Sequence, residues 1–265
     1  MKRWLQGIYS LLVTFGIDPR KTLYSVKGLP GYFWDFWQLK SQKSSTERVF
    51  HFGRLYPCLG ERYAESGAAK GHYFHQDLLV ARRIYANNPR THVDVGSRVD
   101  GFVAHIASFR QIHVIDIRPL PTAIPNVRFM QADLMETDVA VDLIDYCDSL
   151  SCLHAIEHFG LGRYGDPVNY DGYLLGLSNL QRILKRSGKL YFSVPIGPQR
   201  IEFNAHRIFS VNYLLQYFDG KYQIDSFSFV DDQGDLHENT PITTSGIKSN
   251  FGCLYGCGIF EMTKL

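Results

Sequence analysis

Residues 93–101 read "VDVGSRVDG": a β-branched run around Asp94 stops at Gly96, and Asp100 and Gly101 follow. Such a run predicts a strand whose end turns tightly. Glycine there takes conformations closed to other residues and lets backbone come close to a ligand. The next segment, "VDGFVAHIASF", has helical periodicity and offers its first N–H groups to whatever sits in the turn. The spacing is not G-x-G-x-x-G, because Arg98 stands at the second glycine position, with Gly101 at the third. A pyrophosphate-binding dinucleotide site is therefore disfavoured.

Outward from this turn, strand-like and helix-like segments alternate. "QIHVIDI", "NVRFMQADL", "VDLIDYCDSLSCL" and "KLYFSVPI" predict further strands. "DGYLLGLSNLQRILKRSG" predicts an amphipathic helix stopped at Gly188, and "SVNYLLQYF" another. Two late β-like runs, "YQIDSFSFV" and "CLYGCGIFEM", close the chain. Strands alternating with helices imply βαβ units and a mainly parallel sheet, with ligands held beyond the C-terminal strand ends. The second strand ends at Asp116, about twenty residues after the glycine turn, where a carboxylate can accept hydrogen bonds from both ribose hydroxyls. The third ends at Asp133, placed to receive an adenine amino group. Taken together, these positions describe a nucleoside pocket without a phosphate cradle.

At these residues the chain resembles the class I S-adenosylmethionine-dependent methyltransferases. The resemblance implies an α/β, Rossmann-like fold over about residues 90–265, with a mainly parallel sheet and a reversed C-terminal strand. It implies S-adenosyl-L-methionine as cofactor, with Asp94 and Gly96 at its methionine part, Asp116 at ribose and Asp133 at adenine. Arg98 departs from the small residue common in that family. "GHYFHQDLLVARRI", "HAIEHFGLGRYGDP" and "VPIGPQRIEFNAHRIFS" also look like an uncharacterised methyltransferase-like family of bacterial polysaccharide and surface-glycan gene clusters. That likeness implies a sugar or glycan acceptor by association only.

His154, Glu157 and His158 in "SCLHAIEHFGLGRYGD" have the H-x-x-E-H spacing of an inverted zinc-peptidase motif. Such a site needs a long continuous helix and a third ligand. Gly160, Gly162, Gly165 and Pro167 cut this segment short, so no metal site is expected. A metal-assisted variant would use Asp148 with Glu157 or His158. On the methyltransferase map the stretch follows the fourth strand, beside the transferred methyl. His158 is the first candidate general base, Glu157 its orienting partner and His206 the alternative base. A neutral imidazole suits proton removal from a hydroxyl because its ordinary pKa lies near neutrality. The loop "GLGRYGD" and the segment "EFNAHRIF" are expected to face each other, with Arg163, Arg207 and His154 meeting substrate. The bland alternative is that Glu157 and His158 merely hold the loop. His72 and His75 are further candidates for entering the pocket.

The 265 residues are 45% hydrophobic and 20% charged, with 28 Lys and Arg against 26 Asp and Glu. That is the composition of a protein with a real core, and its near-neutral balance gives no support for a nucleic-acid partner. Five cysteines without C-x-x-C pairs fit a reducing compartment rather than a disulfide framework, with Cys253 and Cys257 expected on one face of the core. Domain boundaries fall at 1–88, an N-terminal helical extension or cap ending in "KSQKSSTERV" and the following helix, and 89–265, the Rossmann-like domain. The opening "MKRWLQGIYSLLVTFGIDPR" makes a weak signal peptide and too short a membrane span. Its helical spacing at Trp4, Leu5, Ile8, Leu11, Leu12 and Phe15 predicts an amphipathic helix. This helix either packs on the domain or, with Lys2, Arg3, Trp34 and Trp37, touches a membrane surface. Cytoplasmic location, at the inner face of the membrane if that contact forms, is the matching expectation. The rival to an enzyme is a catalytically inactive methyltransferase-like scaffold in glycan assembly.

Overall fold

The computed structural model describes residues 2–42, 52–136 and 143–265, and its chain forms two compact units, 1–68 and 69–265. In the first, helix α1 (Lys2–Thr14) is followed by α2 (Pro19–Ser41). Asp18 starts α2 by accepting the N–H groups of Arg20 and Lys21 at 2.9 and 3.1 Å, with Pro19 at the first helical position. Helix α2 runs through Pro30 for 23 residues. Side chains of Lys2, Arg3, Trp4 and Leu5, and most of "KSQKSSTERV", lie outside the described residues. No helix among the described residues is long and apolar enough to cross a membrane.

The second unit opens with α3 (His72–Asn87), closed by Asn88 in the left-handed conformation. The compact units thus divide ahead of this helix, whereas the sequence pattern draws the boundary after it. Leu79, Val80 and Ile84 bury the helix in the core of the second unit. Then come β1 (His92–Val95), α4 (Ala104–Ala107), β2 (Ile112–Asp116), β3 (Val127–Gln131), β4 (Cys147–Leu153) and α5 (Gly172–Ile183). The chain finishes with β5 (Leu184–Ile196), β6 (Arg200–Glu202), β7 (His206–Ile208), α6 (Val211–Phe218), β8 (Tyr222–Val230), β9 (Leu236–His237), α7 (Thr244–Ser249) and β10 (Gly256–Lys264). Eight strands form one sheet in the order β3-β2-β1-β4-β5-β10-β8-β9, while β6 and β7 pair as a separate hairpin. The first five are parallel, and β10 runs antiparallel between β5 and β8.

One sheet face packs against α5 and α6 through residues such as Leu177, Leu180 and Phe218. The other packs against α3, the turn before α4, and α4 itself through Leu79, Val103 and Ile106. Cys253 and Cys257 fall in different clusters, contrary to the shared face expected, because the chain enters β10 only at Gly256. Two helix expectations also change. The helix after the glycine turn is a wide turn at Val99–Val103 plus the short α4, since Gly101 breaks helical geometry. Helix α5 ends at Ile183 rather than Gly188, because Leu184 already pairs with Cys147 and draws the chain into β5. The strand order reverses direction at β1: β2 and β3 lie on one side of it, β4 and β5 on the other. That switch point places a crevice at the C-terminal ends of β1 and β4.

Candidate functional site

A cleft of about 550 Å³ opens there, lined by the ends of β1 to β4 and the segment after β4. Gly96 turns the chain at φ +76°, and a Cβ on it would meet the Ala155 Cβ at 2.7 Å. Beneath the turn, Asp94 is fully buried and accepts from Ser97 N (3.1 Å), Ser97 Oγ (2.8 Å) and Ser151 Oγ (2.5 Å). Burial pushes its carboxyl up to about 7 against these hydrogen bonds. Ser151 Oγ also meets His92 Nε2 at 3.1 Å, and burial presses this fully enclosed imidazole down to about 3. Asp94 therefore shapes the turn from below, while Gly96, Asp116 and Asp133 line the cleft itself. Arg98 turns its guanidinium onto Asp100 at 2.7 Å, both side chains being exposed.

Asp116 carries an unforeseen partner. Arg118 donates to it from N (2.8 Å), Nε (2.9 Å) and Nη2 (2.5 Å), and its guanidinium lies 4.7 Å over the Tyr164 ring. Asp133 holds the next turn by accepting Met135 N at 2.8 Å.

At the β4 end, Glu157 is 1% exposed and is surrounded by imidazoles. His154 Nδ1 donates to Glu157 Oε1 at 2.7 Å, His158 Nε2 lies 3.8 Å from the same oxygen, and the His158 and His206 rings meet edge to face at 6.5 Å. Burial pushes the Glu157 carboxyl up, but the His154 charge and hydrogen bond outweigh it and hold the group low. For His154 burial acts downward, while the Cys257 sulfur and Glu157 carboxylate act upward and prevail. His158 donates from Nδ1 to Ala205 O at 2.7 Å, which leaves Nε2 as the bare nitrogen. Burial lowers its pKa below the ordinary imidazole value, so the ring is neutral at neutral pH. The partner that orients His158 is thus the Ala205 carbonyl, and the hydrogen bond of Glu157 goes to His154.

The two segments expected to face each other do so. Arg163 donates to Ala205 O at 2.9 Å, and Arg207 donates to Phe159 O (2.6 Å) and Tyr170 O (2.9 Å). Asp166 closes the glycine loop by accepting from Gly160, Gly162 and Tyr164 N–H groups. His154, His158 and Arg163 line the cleft, whereas Glu157, His206 and Arg207 stand behind its lining. Arg207 is buried with its donors on loop carbonyls and clamps the wall. His206 stacks on Tyr255 at 5.0 Å. His72 meets His154 by stacking rather than by lining the cleft, and His75 contacts Phe74. Asp148 accepts the Arg90 and Thr91 N–H groups at the opposite end of β4, so the metal-assisted variant built on it has no geometric basis. The H-x-x-E-H stretch is a single 3-10 turn at Ile156–His158, not a helix. Tyr73, Arg118 and Tyr164 line the cleft without having been singled out; only their flanking of the acidic strand end and the glycine loop pointed to them.

The model of a family described as "Caenorhabditis protein of unknown function, DUF268" matches residues 110–249. No curated protein matches the chain in sequence. Among solved structures the cyclase SpnF is 13% identical over 72% of this chain and 80% of its own, with a TM-score of 0.50. The 1,6-didemethyltoxoflavin-N1-methyltransferase of Burkholderia thailandensis, solved with its substrate and S-adenosylhomocysteine, is 15% identical over 71% and 78%, at 0.49. The N-methyltransferase NodS of Bradyrhizobium japonicum is 8% identical over 73% and 88%, at 0.47. The sheet order and the likeness to SpnF show a Rossmann-like α/β fold, and the likeness speaks for the fold alone.

Proposed function

The chain belongs to the DUF268 family, and from the chemistry of its cleft we propose that it is an S-adenosylmethionine-dependent methyltransferase. One observation carries this: Gly96, Asp116 and Asp133, on three successive strand ends, open into the same cleft as His158, whose Nδ1 is held by Ala205 O. The residues fit the cofactor. Gly96 gives a close backbone approach, Asp116 and Asp133 supply acceptors for hydroxyls and an amino group, and Val114, Ile115, Phe129 and Leu134 supply apolar wall. Bound there, S-adenosylmethionine would supply an electrophilic methyl group on a sulfonium. Arg118 must release Asp116 before that carboxylate can hold a ribose.

His158 is the proposed general base. Its tautomer is set by Ala205 O, and Glu157 Oε1 at 3.8 Å stabilises the imidazolium once a proton is taken. Arg163 and His154 are the cleft residues proposed to position the acceptor, and His206 is the reserve base behind them. The acceptor proposed is a hydroxyl of a sugar or glycan in surface-polysaccharide synthesis, which the sequence resemblance implies by association only. Contact with a membrane surface through the exposed Trp34 and Trp37 of α2 belongs to the same proposal.

Titration calorimetry with S-adenosylhomocysteine tests the cofactor assignment, with Asp116→Ala as control. Wild-type protein is expected to bind. The substitution is expected to weaken binding about tenfold to a hundredfold, as loss of a charged acceptor for two hydroxyls does. A well-folded wild type that binds nothing favours the second reading, a methyltransferase-like scaffold. The Arg118 guanidinium closed on Asp116 is the observation on that side.

A further inference from the structure

Behind the cleft wall, ring nitrogens of His72 and His154 and the Sγ of Cys257 lie within 4.8 Å of one another. The three come from separate elements: the first residue of α3, the residue after β4, and the second residue of β10. His154 is buried, and its Nδ1 is taken by Glu157 Oε1 at 2.7 Å. Its Nε2 is the atom left for the cluster, and it is buried with no hydrogen-bond partner among the described residues. A buried nitrogen without a partner costs free energy unless something fills the position. His154 also holds a left-handed backbone, φ +48°, fixed by its N–H donating to Ser193 O at 3.0 Å and Ser193 Oγ at 3.2 Å. A non-glycine residue keeps that conformation only where its surroundings impose it. His72 stacks on His154 with ring centroids 5.1 Å apart and on Tyr255 at 5.2 Å.

We propose that His72, His154 and Cys257 bind a divalent zinc-class cation, with Glu157 as the carboxylate that orients His154 toward it. Two imidazoles and one thiolate are the donor set of a borderline-soft metal in tetrahedral geometry with a fourth position open. A carboxylate on the far nitrogen of a ligating histidine fixes its tautomer and raises its basicity. Charge balances as well: the Cys257 thiolate and the Glu157 carboxylate offset the two positive charges of the ion. Tetrahedral bonds of about 2.0–2.3 Å bring donors to roughly 3.5 Å apart, so the side chains move inward by about an ångström on binding. The ion meets the unpartnered His154 Nε2 and ties the start of α3 to β4 and β10. This cluster is not the H-x-x-E-H pair, since His158 turns its Nδ1 to Ala205 O instead. The cluster shares His154 with the cleft lining, where with the ion bound it serves as wall, and its test reads metal binding without methyl transfer.

Cobalt(II) titration of chelator-stripped protein tests the site, in a Cys58→Ser background that removes the exposed thiol. One equivalent is expected to give a thiolate-to-cobalt charge-transfer band and the intense visible bands of four-coordinate cobalt, both bleached by one equivalent of zinc. Cys257→Ser should abolish the charge-transfer band. His72→Gln, at a half-buried position, should abolish the four-coordinate spectrum. Glu157→Gln should keep the spectrum with affinity lowered about tenfold to a hundredfold, and His158→Ala should leave it unchanged. Folded protein showing only the pale spectrum of hydrated cobalt overturns the proposal. So does a charge-transfer band that survives Cys257→Ser in folded protein.

Discussion

His158 and Asp94 are both buried groups displaced from their ordinary pKa, in opposite directions and with opposite consequences. Burial lowers His158, so the neutral base persists to a pH below the usual imidazole value near 6.5. Under the methyltransferase proposal the acid limb of kcat/KM therefore falls below that pH. His158→Ala is expected to cost about a hundredfold to ten-thousandfold in rate while S-adenosylhomocysteine still binds. Formation of the demethylated cofactor with nucleotide sugars or glycans measures both, and an unchanged rate removes His158 as base. Asp94 is pushed up to about 7 from an unfolded value near 3.8, so the folded state holds this proton more tightly than the unfolded chain. Its contribution to stability is full below the unfolded value and is lost as pH rises through 7. Asp94→Asn cannot ionise. Thermal melts across pH 4 to 8 are therefore expected to show a flatter profile for the variant, with a relative gain of at most ~4 kcal/mol at the alkaline end. Parallel profiles would mean that Asp94 titrates normally. These acids were legible in the sequence because each sits at the end of its own strand. Arg118 on Asp116, and Cys257 beside His154, were not, because those neighbours arise from loop geometry and from sheet pairing.

The segment from Phe159 to Tyr170 owes its position to one side chain from another element. Arg207, at the centre of β7, places charged donors on Phe159 O and Tyr170 O, and its guanidinium lies 4.9 Å over the Tyr173 ring. Arg207→Met keeps the stem and removes the donors to both carbonyls, leaving them without this partner. Denaturant unfolding is expected to show a loss of about 2–4 kcal/mol. Arg207→Lys is expected to rescue little of it, because one ammonium does not reproduce a planar fork. An unaltered midpoint would show that Asp166 alone holds the loop. At the other end of the chain, Trp34 and Trp37 are 73% and 61% exposed on α2. If they meet a membrane surface, Trp34→Ala with Trp37→Ala should abolish co-sedimentation with anionic vesicles. Wild-type protein that stays in the supernatant removes the membrane contact. Element types were readable from periodicity, but their ends were set by partners. Helix α5 gives way at Ile183 because Leu184 finds Cys147, and the helix after the glycine turn breaks at Gly101.

At the scale of the molecule, the order of strands could not come from periodicity, since the pattern of β10 does not say that it inserts between β5 and β8. Its reversed direction came from family resemblance, and the sheet order then placed Gly96, Asp116, Asp133 and His154 around one cleft. Every residue lining that cleft lies between Tyr73 and Asp166, and both hydrophobic clusters are built from residues of the second unit. The His72, His154 and Cys257 cluster lies in that unit as well. A unit with its own core and its own site has what it needs to fold and bind alone. Residues 69–265 expressed by themselves are therefore expected to melt cooperatively and to bind S-adenosylhomocysteine with the affinity of the full chain. Starting the fragment at residue 89, where the sequence pattern set the boundary, removes α3 with Leu79, Val80 and Ile84 from the core and is expected to give aggregation-prone protein. A folded 69–265 fragment with much weaker binding would mean that residues 1–68 complete the site. Equal binding would leave them free for the membrane contact proposed for α2.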